Sequence, residues 1–209
     1  MSPSLPAQQA REGSGGVTLR SCPPGVQQAL RDVGGKIVHI DKAPQKDIYM
    51  AEIRVKGDSD VQVVVDSHGK VLRKAEHLKL ADCPPSVQYA VKEKGHGTPV
   101  GDVARVTSDE GVSYEVSYKT ADERVFQIEV GAGGKVLVAE EEIPLNSCPD
   151  AVKKAIQGKA AGGKVDEVHR VTENGGKVTY TAHLTSGKAE MELEVNSEGK
   201  ILDFHRGGE

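Results

Sequence analysis

Apolar residues recur along the chain first at helical and then at strand spacing, and the change happens three times. Val26, Ala29 and Leu30 stand at i, i+3 and i+4, as do Val87, Ala90 and Val91, and again Val152, Ala155 and Ile156. That spacing lines one face of a helix. The triads lie in "SCPPGVQQALRDVG", "DCPPSVQYAVKEKG" and "SCPDAVKKAIQGKA". Proline suits a first helical turn, where its missing N–H has no intrahelical partner. Gly34 with Gly35, Gly95 and Gly158 are the expected stops, which makes each helix about three turns long.

After each helix the period falls to two. Tyr49, Ala51, Ile53 and Val55 share one strand face, as do Val112, Tyr114, Val116 and Tyr118, and Val178, Tyr180, Ala182 and Leu184. The next strands repeat the alternation in Val61, Val63 and Val65, in Phe126, Ile128 and Val130, and in Met191, Leu193 and Val195. A shorter strand is expected before each pair and a fourth after each Gly-Lys turn, at "HGKVL", "GGKVL" and "EGKIL". Hairpin turns are expected at 56–60, 119–123, 185–189 and 196–200, where Gly, Asp, Asn and Ser cluster. The spacing predicts an α+β chain of three tandem repeats, each one helix packed on its own four-stranded antiparallel sheet. The expected boundaries are 21–79, 82–143 and 147–206, after a disordered tail over 1–20 rich in Ser, Pro, Gly and Gln. Units of that size are marginal alone, so mutual support between them is expected.

Composition narrows the function. The chain of 209 residues has no Trp, two Phe and five Tyr, so its core must be mostly aliphatic. Its net charge is −4, without a long basic run. Phosphate-backbone binding needs clustered cations, and single-strand binding needs aromatic platforms as well, so nucleic acid is not an expected partner. No apolar stretch approaches the roughly 20 residues that span a bilayer, so membrane insertion is not expected. The first residues lack the apolar core of a secretory signal. The chain is periplasmic or secreted if Met1 follows a removed signal, and cytoplasmic otherwise.

The three cysteines, Cys22, Cys83 and Cys148, each precede a proline at a helix start. Tandem equivalents lie a unit apart, too far for a bridge. A helix N-terminus can lower a thiol pKa, which leaves a redox role open. The competing reading is a small buried hydrophobe that staples the first turn. P-loop, zincin, serine-elbow and Cys-x-x-Cys patterns are missing, and "VGAGGKVL" reads as a turn. The seven histidines show no ligand spacing; His39 and His169 are read as equivalent positions, with Ala104 between them. No cofactor or metal is expected. Tyr49, Tyr114 and Tyr180 read as core residues with the hydroxyl near the rim.

The succession Pro-x-x-Val-x-x-Ala-Val/Ile, an extended Val-x-Val stretch, Tyr-x-Val and Gly-Lys-Val-Leu resembles PepSY-like domains over about residues 21–206. Here Cys-Pro stands where that group carries Leu-Pro. The resemblance implies a helix on an antiparallel sheet, similar in fold to the beta-lactamase inhibitory protein. It also implies an exported, non-catalytic module that binds or inhibits other proteins, and it carries over no catalytic residue. The expected contact surface is the polar sheet face, with Glu115, Lys119, Glu129, His183, Glu192 and Glu194 as the partner-binding residues. Its net acidic character favours a basic protein or peptide. A structural spacer is the second reading, and a thiol redox protein the third.

Overall fold

Each Cys-Pro pair does start a helix. In the computed structural model, which describes residues 16–43, 47–55 and 60–207, α1 spans Pro24–Val33, α2 Pro85–Gly95 and α3 Asp150–Ala160. Their N-caps, Pro23, Pro84 and Pro149, make no side-chain cap bond. A short 3-10 turn precedes each cysteine, at Leu19–Ser21, Leu80–Asp82 and Leu145–Ser147. Gly34 caps α1, but α3 runs through the expected stop at Gly158 and ends where Ala161 turns left-handed. One glycine costs a helix only about 1 kcal/mol. Burial of Val152, Ile156 and Ala160 on the same side outweighs it.

The strands are β1 (Lys36–Lys42), β2 (Ile48–Arg54), β3 (Asp60–Asp66), β4 (Val71–His77), β5 (Val100–Ser108), β6 (Gly111–Tyr118), β7 (Phe126–Gly131), β8 (Val136–Glu142), β9 (Lys164–Glu173), β10 (Val178–Ser186), β11 (Ala189–Asn196) and β12 (Ile201–Gly207). They do not form three four-stranded sheets. The described strands make one 12-stranded antiparallel sheet in chain order, so the chain is mainly β with three short helices, which corrects the α+β expectation of separate helix-on-sheet units. The physical reason is the strand edge. A four-stranded sheet would leave its last strand with unpaired N–H and C=O groups. Here β4 pairs with β5, and β8 with β9.

Two compact units divide the chain: Met1–Asp82 with Val103–Tyr114, and Cys83–Asp102 with Glu115–Glu209. In the first, Cys22, Val26 and Leu30 pack on Ile40, Tyr49, Ala51, Ile53, Val61, Val63 and Val65. Of the expected tail, 1–15 lies outside the described residues. Gly16 bridges Asp41, and Val17 N–H donates to the Ile40 carbonyl. The expected turn at 56–60 also lies outside the described residues, except Asp60. In the second unit, α3 packs Val152 and Ile156 on Tyr180, Ala182, Leu184, Leu193 and Val195. There the Tyr118 hydroxyl donates to the Val91 carbonyl of α2, and burial pushes its pKa up to about 12. Val112, expected in the core, is exposed. No helix among the described residues is long and apolar enough to cross a membrane.

The Gly-Lys turns have a steric origin. Asp66, Gly131 and Asn196 N–H donate to the carbonyls of Lys70, Lys135 and Lys200, which closes each hairpin. Gly69, Gly134 and Gly199 inside these turns have φ of +94°, +85° and +82°. A Cβ on them would stand 2.5, 2.6 and 2.6 Å from the backbone oxygens of Gly25, Ser86 and Ala151 in the first helical turns. Only glycine lets the hairpin seat against the helix backbone. Gly199→Ala should therefore lower unfolding free energy by about 3–4 kcal/mol in chemical denaturation, combining left-handed strain with a backbone collision. Gly176→Ala, at φ +84° with nothing within 4 Å, should cost only about 1–2 kcal/mol.

Candidate binding face and its buried histidine

Strand alternation leaves one face of the second unit polar. Along β11, Met191, Leu193 and Val195 turn to the helix side and are buried, while Glu190, Glu192 and Glu194 turn the other way. Register carries that face across neighbouring strands: His183 lies opposite Glu192 and Thr181 opposite Glu194. On β12, His205 lies opposite Glu192 and Asp203 opposite Glu194. Gln127 and Glu129 of β7 point away from buried Ile128 and Val130, and Glu115 of β6 points away from Tyr114, Val116 and Tyr118, with exposed Lys119 just past the end of β6. Thus Glu115, Glu129, His183, Glu192 and Glu194 are on the face opposite their strands' buried residues, and Lys119 follows directly after β6. Lys119 is exposed and the other five are half-buried.

The centre of this face holds a residue that periodicity alone passed over. His169 of β9 is 6% exposed. Its Nδ1 lies 2.9 Å from Glu140 Oε1 on β8 and its Nε2 3.4 Å from Glu167 Oε2 on β9. Its ring meets His183 of β10 edge-on, with centroids 5.9 Å apart. Gln127 Nε2 donates to the other Glu140 oxygen at 2.7 Å. The Nδ1 contact is close but out of line. Among the described residues, His169 Nδ1 is the buried side-chain polar atom left without a directed hydrogen bond. Burial by itself would lower the imidazole pKa, but the contacts with Glu140 and Glu167 outweigh it and the net shift is upward. Burial would raise Glu140, but its contacts with His169 and Gln127 outweigh it and hold the carboxyl below its usual range.

The register also corrects the reading of His39. Lys42 lies opposite Tyr49 as Arg170 lies opposite Tyr180, so the counterpart of His169 is Asp41, and His39 corresponds to Glu167. Both strands carry a bulge at the same place, between Ile37 and His39 in β1 and between Val165 and Glu167 in β9, so they align without a relative shift. The His39–Asp41 pair, 2.8 Å apart, is the Glu167–His169 pair with its members exchanged. At the β4–β5 junction the places of Glu140, His169 and Val171 are taken by Ala75, Ala104 and Val106, all buried together. The position thus demands burial but not charge.

The three thiols form no disulfide and are buried. Cys22 Sγ donates to the Thr18 carbonyl at 3.4 Å, and the carbonyls of Cys22 and Cys83 accept from Gln27 and Gln88 at 2.9 Å. Burial pushes the Cys22 and Cys148 thiols above their usual range. That is the reverse of the lowered pKa a reactive thiol needs. Tyr49, Tyr114 and Tyr180 are each 6% exposed. No group of three His, Cys, Asp or Glu side chains among the described residues could hold a metal ion.

No protein-family model and no curated protein matches the chain. Solved structures do. A candidate periplasmic protein from Bacteroides eggerthii superimposes with a TM-score of 0.50 at 21% identity, covering 57% of this chain and 88% of its own. A DUF2874 family protein from Bacteroides uniformis gives 0.48 at 16% identity, covering 59% and 89%. A BLIP-like protein from Bacteroides fragilis gives 0.47 at 18% identity, covering 57% and 86%. The likeness to the Bacteroides eggerthii protein is one of fold, and nearly all of that protein corresponds to little more than half of this chain.

The His169 cluster predicts a pH dependence. Because the folded histidine titrates above its ordinary 6.5, its stabilising contribution is complete below that pH and is lost as pH rises through the raised value. Glu140 contributes above its ordinary 4.5 and loses that contribution on acidification. The groups facing the imidazole are Glu140 and Glu142 on β8, Glu167 on β9 and His183 on β10. Chemical denaturation of the native chain at pH 6 and pH 8 should therefore show the greater stability at pH 6. His169→Ala should shrink that difference, since alanine already fills the matching place at the other junction.

Proposed function

We propose that this chain is a non-catalytic protein-binding module that takes a basic protein or peptide on the polar sheet face of its second unit. The observation carrying this reading is the charge of that face. Glu190, Glu192 and Glu194 alternate with core residues along β11, and Glu129, Glu140 and Glu142 stand on β7 and β8. Lys119 is the permanent cation among the expected contact residues. The helices pack against the other side, so the acids are not needed to close the core. Aromatic hot-spot residues are scarce in the chain, so electrostatic attraction rather than aromatic anchoring should dominate binding.

The sequence resemblance to exported binding modules points the same way. The Bacteroides eggerthii protein of similar fold is described as a candidate periplasmic protein. We place the present chain in the same kind of compartment, where it would meet its partner. Burial of the thiols supports reading the Cys-Pro starts as helix staples rather than redox centres.

A charge reversal tests the face. A Lys/Arg-rich peptide should bind the native protein and weaken as salt shortens the reach of the acidic field. The double substitution Glu192→Lys with Glu194→Lys should lower the association rate about tenfold and leave thermal stability within about 0.5 kcal/mol. Glu198→Lys, in the β11–β12 turn, is the control and should change little. Equal effects from both variants, or affinity indifferent to salt, would remove the face from the account.

A further inference from the structure

The two internal strand junctions share one register. Across β4–β5, Arg73 faces Ser108, Ala75 faces Val106 and Glu76 faces Arg105. Across β8–β9, Val138 faces Glu173, Glu140 faces Val171 and Glu141 faces Arg170. Each junction is tied by a glutamate of the earlier strand and an arginine of the later one. Arg105 Nη2 contacts Glu76 Oε2, and Arg170 Nη2 lies 2.5 Å from Glu141 Oε2. The strand that corresponds to β4 and β8 in the last part of the chain is β12. Its register with β11 puts Arg206 opposite Met191, as Glu76 lies opposite Val61 and Glu141 opposite Phe126.

At β12 that socket is present with its charge inverted. The strand is last in the sheet order and is paired on one side only among the described residues. Arg206 is exposed, and so is Leu202 at the bulge between Ile201 and Asp203. Between them Phe204 packs on the core with Lys159 Nζ 4.5 Å from its ring centroid.

A second copy extending the sheet head to tail does not suit this edge. Its β1 would bring Lys42, the counterpart of Arg105 and Arg170, against Arg206, cation to cation. Its β1 edge is moreover already engaged at Ile40 and Asp41 by Val17 and Gly16. Like charges directly opposite across strands are destabilising. The complement of Arg206 is a carboxylate.

We propose that the outer edge of β12 is a strand-addition site. It takes an extended protein segment, antiparallel, in the register β9 takes on β8, and selects a carboxylate opposite Arg206. Main-chain hydrogen bonds supply the attraction in such additions, and the side chains at fixed register supply the choice. The site is independent of the acidic face: it reads backbone and one cation at the sheet edge.

The probe is the β9 segment itself. Two blocked peptides of residues 164–173 are compared, one unaltered and one carrying Arg170→Glu, by amide hydrogen exchange and titration on the intact protein. The Arg170→Glu peptide should slow exchange of the β12 amides that point away from β11 and bind about two- to tenfold tighter than the unaltered peptide, the range expected when an exposed cross-strand pair turns from repulsive to attractive. Arg206→Glu in the protein should reverse that order. Equal binding of the two peptides overturns the proposal, as does protection elsewhere than β12 or no protection at millimolar peptide. Protection, in the peptide-free protein, of the β12 amides that point away from β11 overturns it too: if dependent on concentration it assigns the edge to a second copy, and if independent, to another segment of the same chain.

Discussion

The structure depends on the pairing of strand edges. A helix and four strands of this size bury too little to stand firmly alone, and a four-stranded sheet ends in a bare row of amide and carbonyl groups. Pairing β4 with β5, and β8 with β9, removes that row and continues the ladder through the chain. The ion pairs Glu76–Arg105 and Glu141–Arg170 lie partly exposed at these seams. Exposed pairs contribute only about 0.2–1 kcal/mol each, so they fix which strands meet in which register more than they hold them together.

The same seams explain the face chemistry. A residue at the centre of a seam is covered by neighbours on both sides and must be buried whatever its chemistry. At β4–β5 the chain fills that place with Ala75, Ala104 and Val106. At β8–β9 it places Glu140 and His169 there, and the pair is held by contact with Glu167 and Gln127. Replacing a buried ion pair by apolar side chains is often neutral for stability, so the charged version gives the second unit polarity that its core does not require. Around it the half-buried glutamates of β7, β8 and β11 make the face acidic.

Much of this was legible in the residues. The proline-started helices, the alternation of every core strand and the glycine turns all follow from local spacing. The seams did not, because the spacing of apolar residues marks a strand's faces and is silent on which edge meets which. A signal was there: Glu76 and Arg105 are 29 residues apart, and so are Glu141 and Arg170. The reading of His39 as the equivalent of His169 fails because His39 and Asp41 share one strand face, so alternation cannot tell them apart; the cross-strand register, Lys42 with Tyr49 and Arg170 with Tyr180, does. Gly158 misled for the opposite reason: a local breaker was overruled by burial of Ile156 and Ala160. The proposed contact residues Glu115, Lys119, Glu129, His183, Glu192 and Glu194 are read from alternation, while the buried His169 needs the cross-strand register.

The central claim, that the seams are true interior pairings of one sheet, is open to direct measurement by amide hydrogen exchange on the intact chain. Seam amides of β4, β5, β8 and β9 should be protected as strongly as those of the hairpins β2–β3 and β10–β11, because interior strands open only with the cooperative unit that contains them. Seam amides exchanging as fast as those of an unpaired edge would contradict the account.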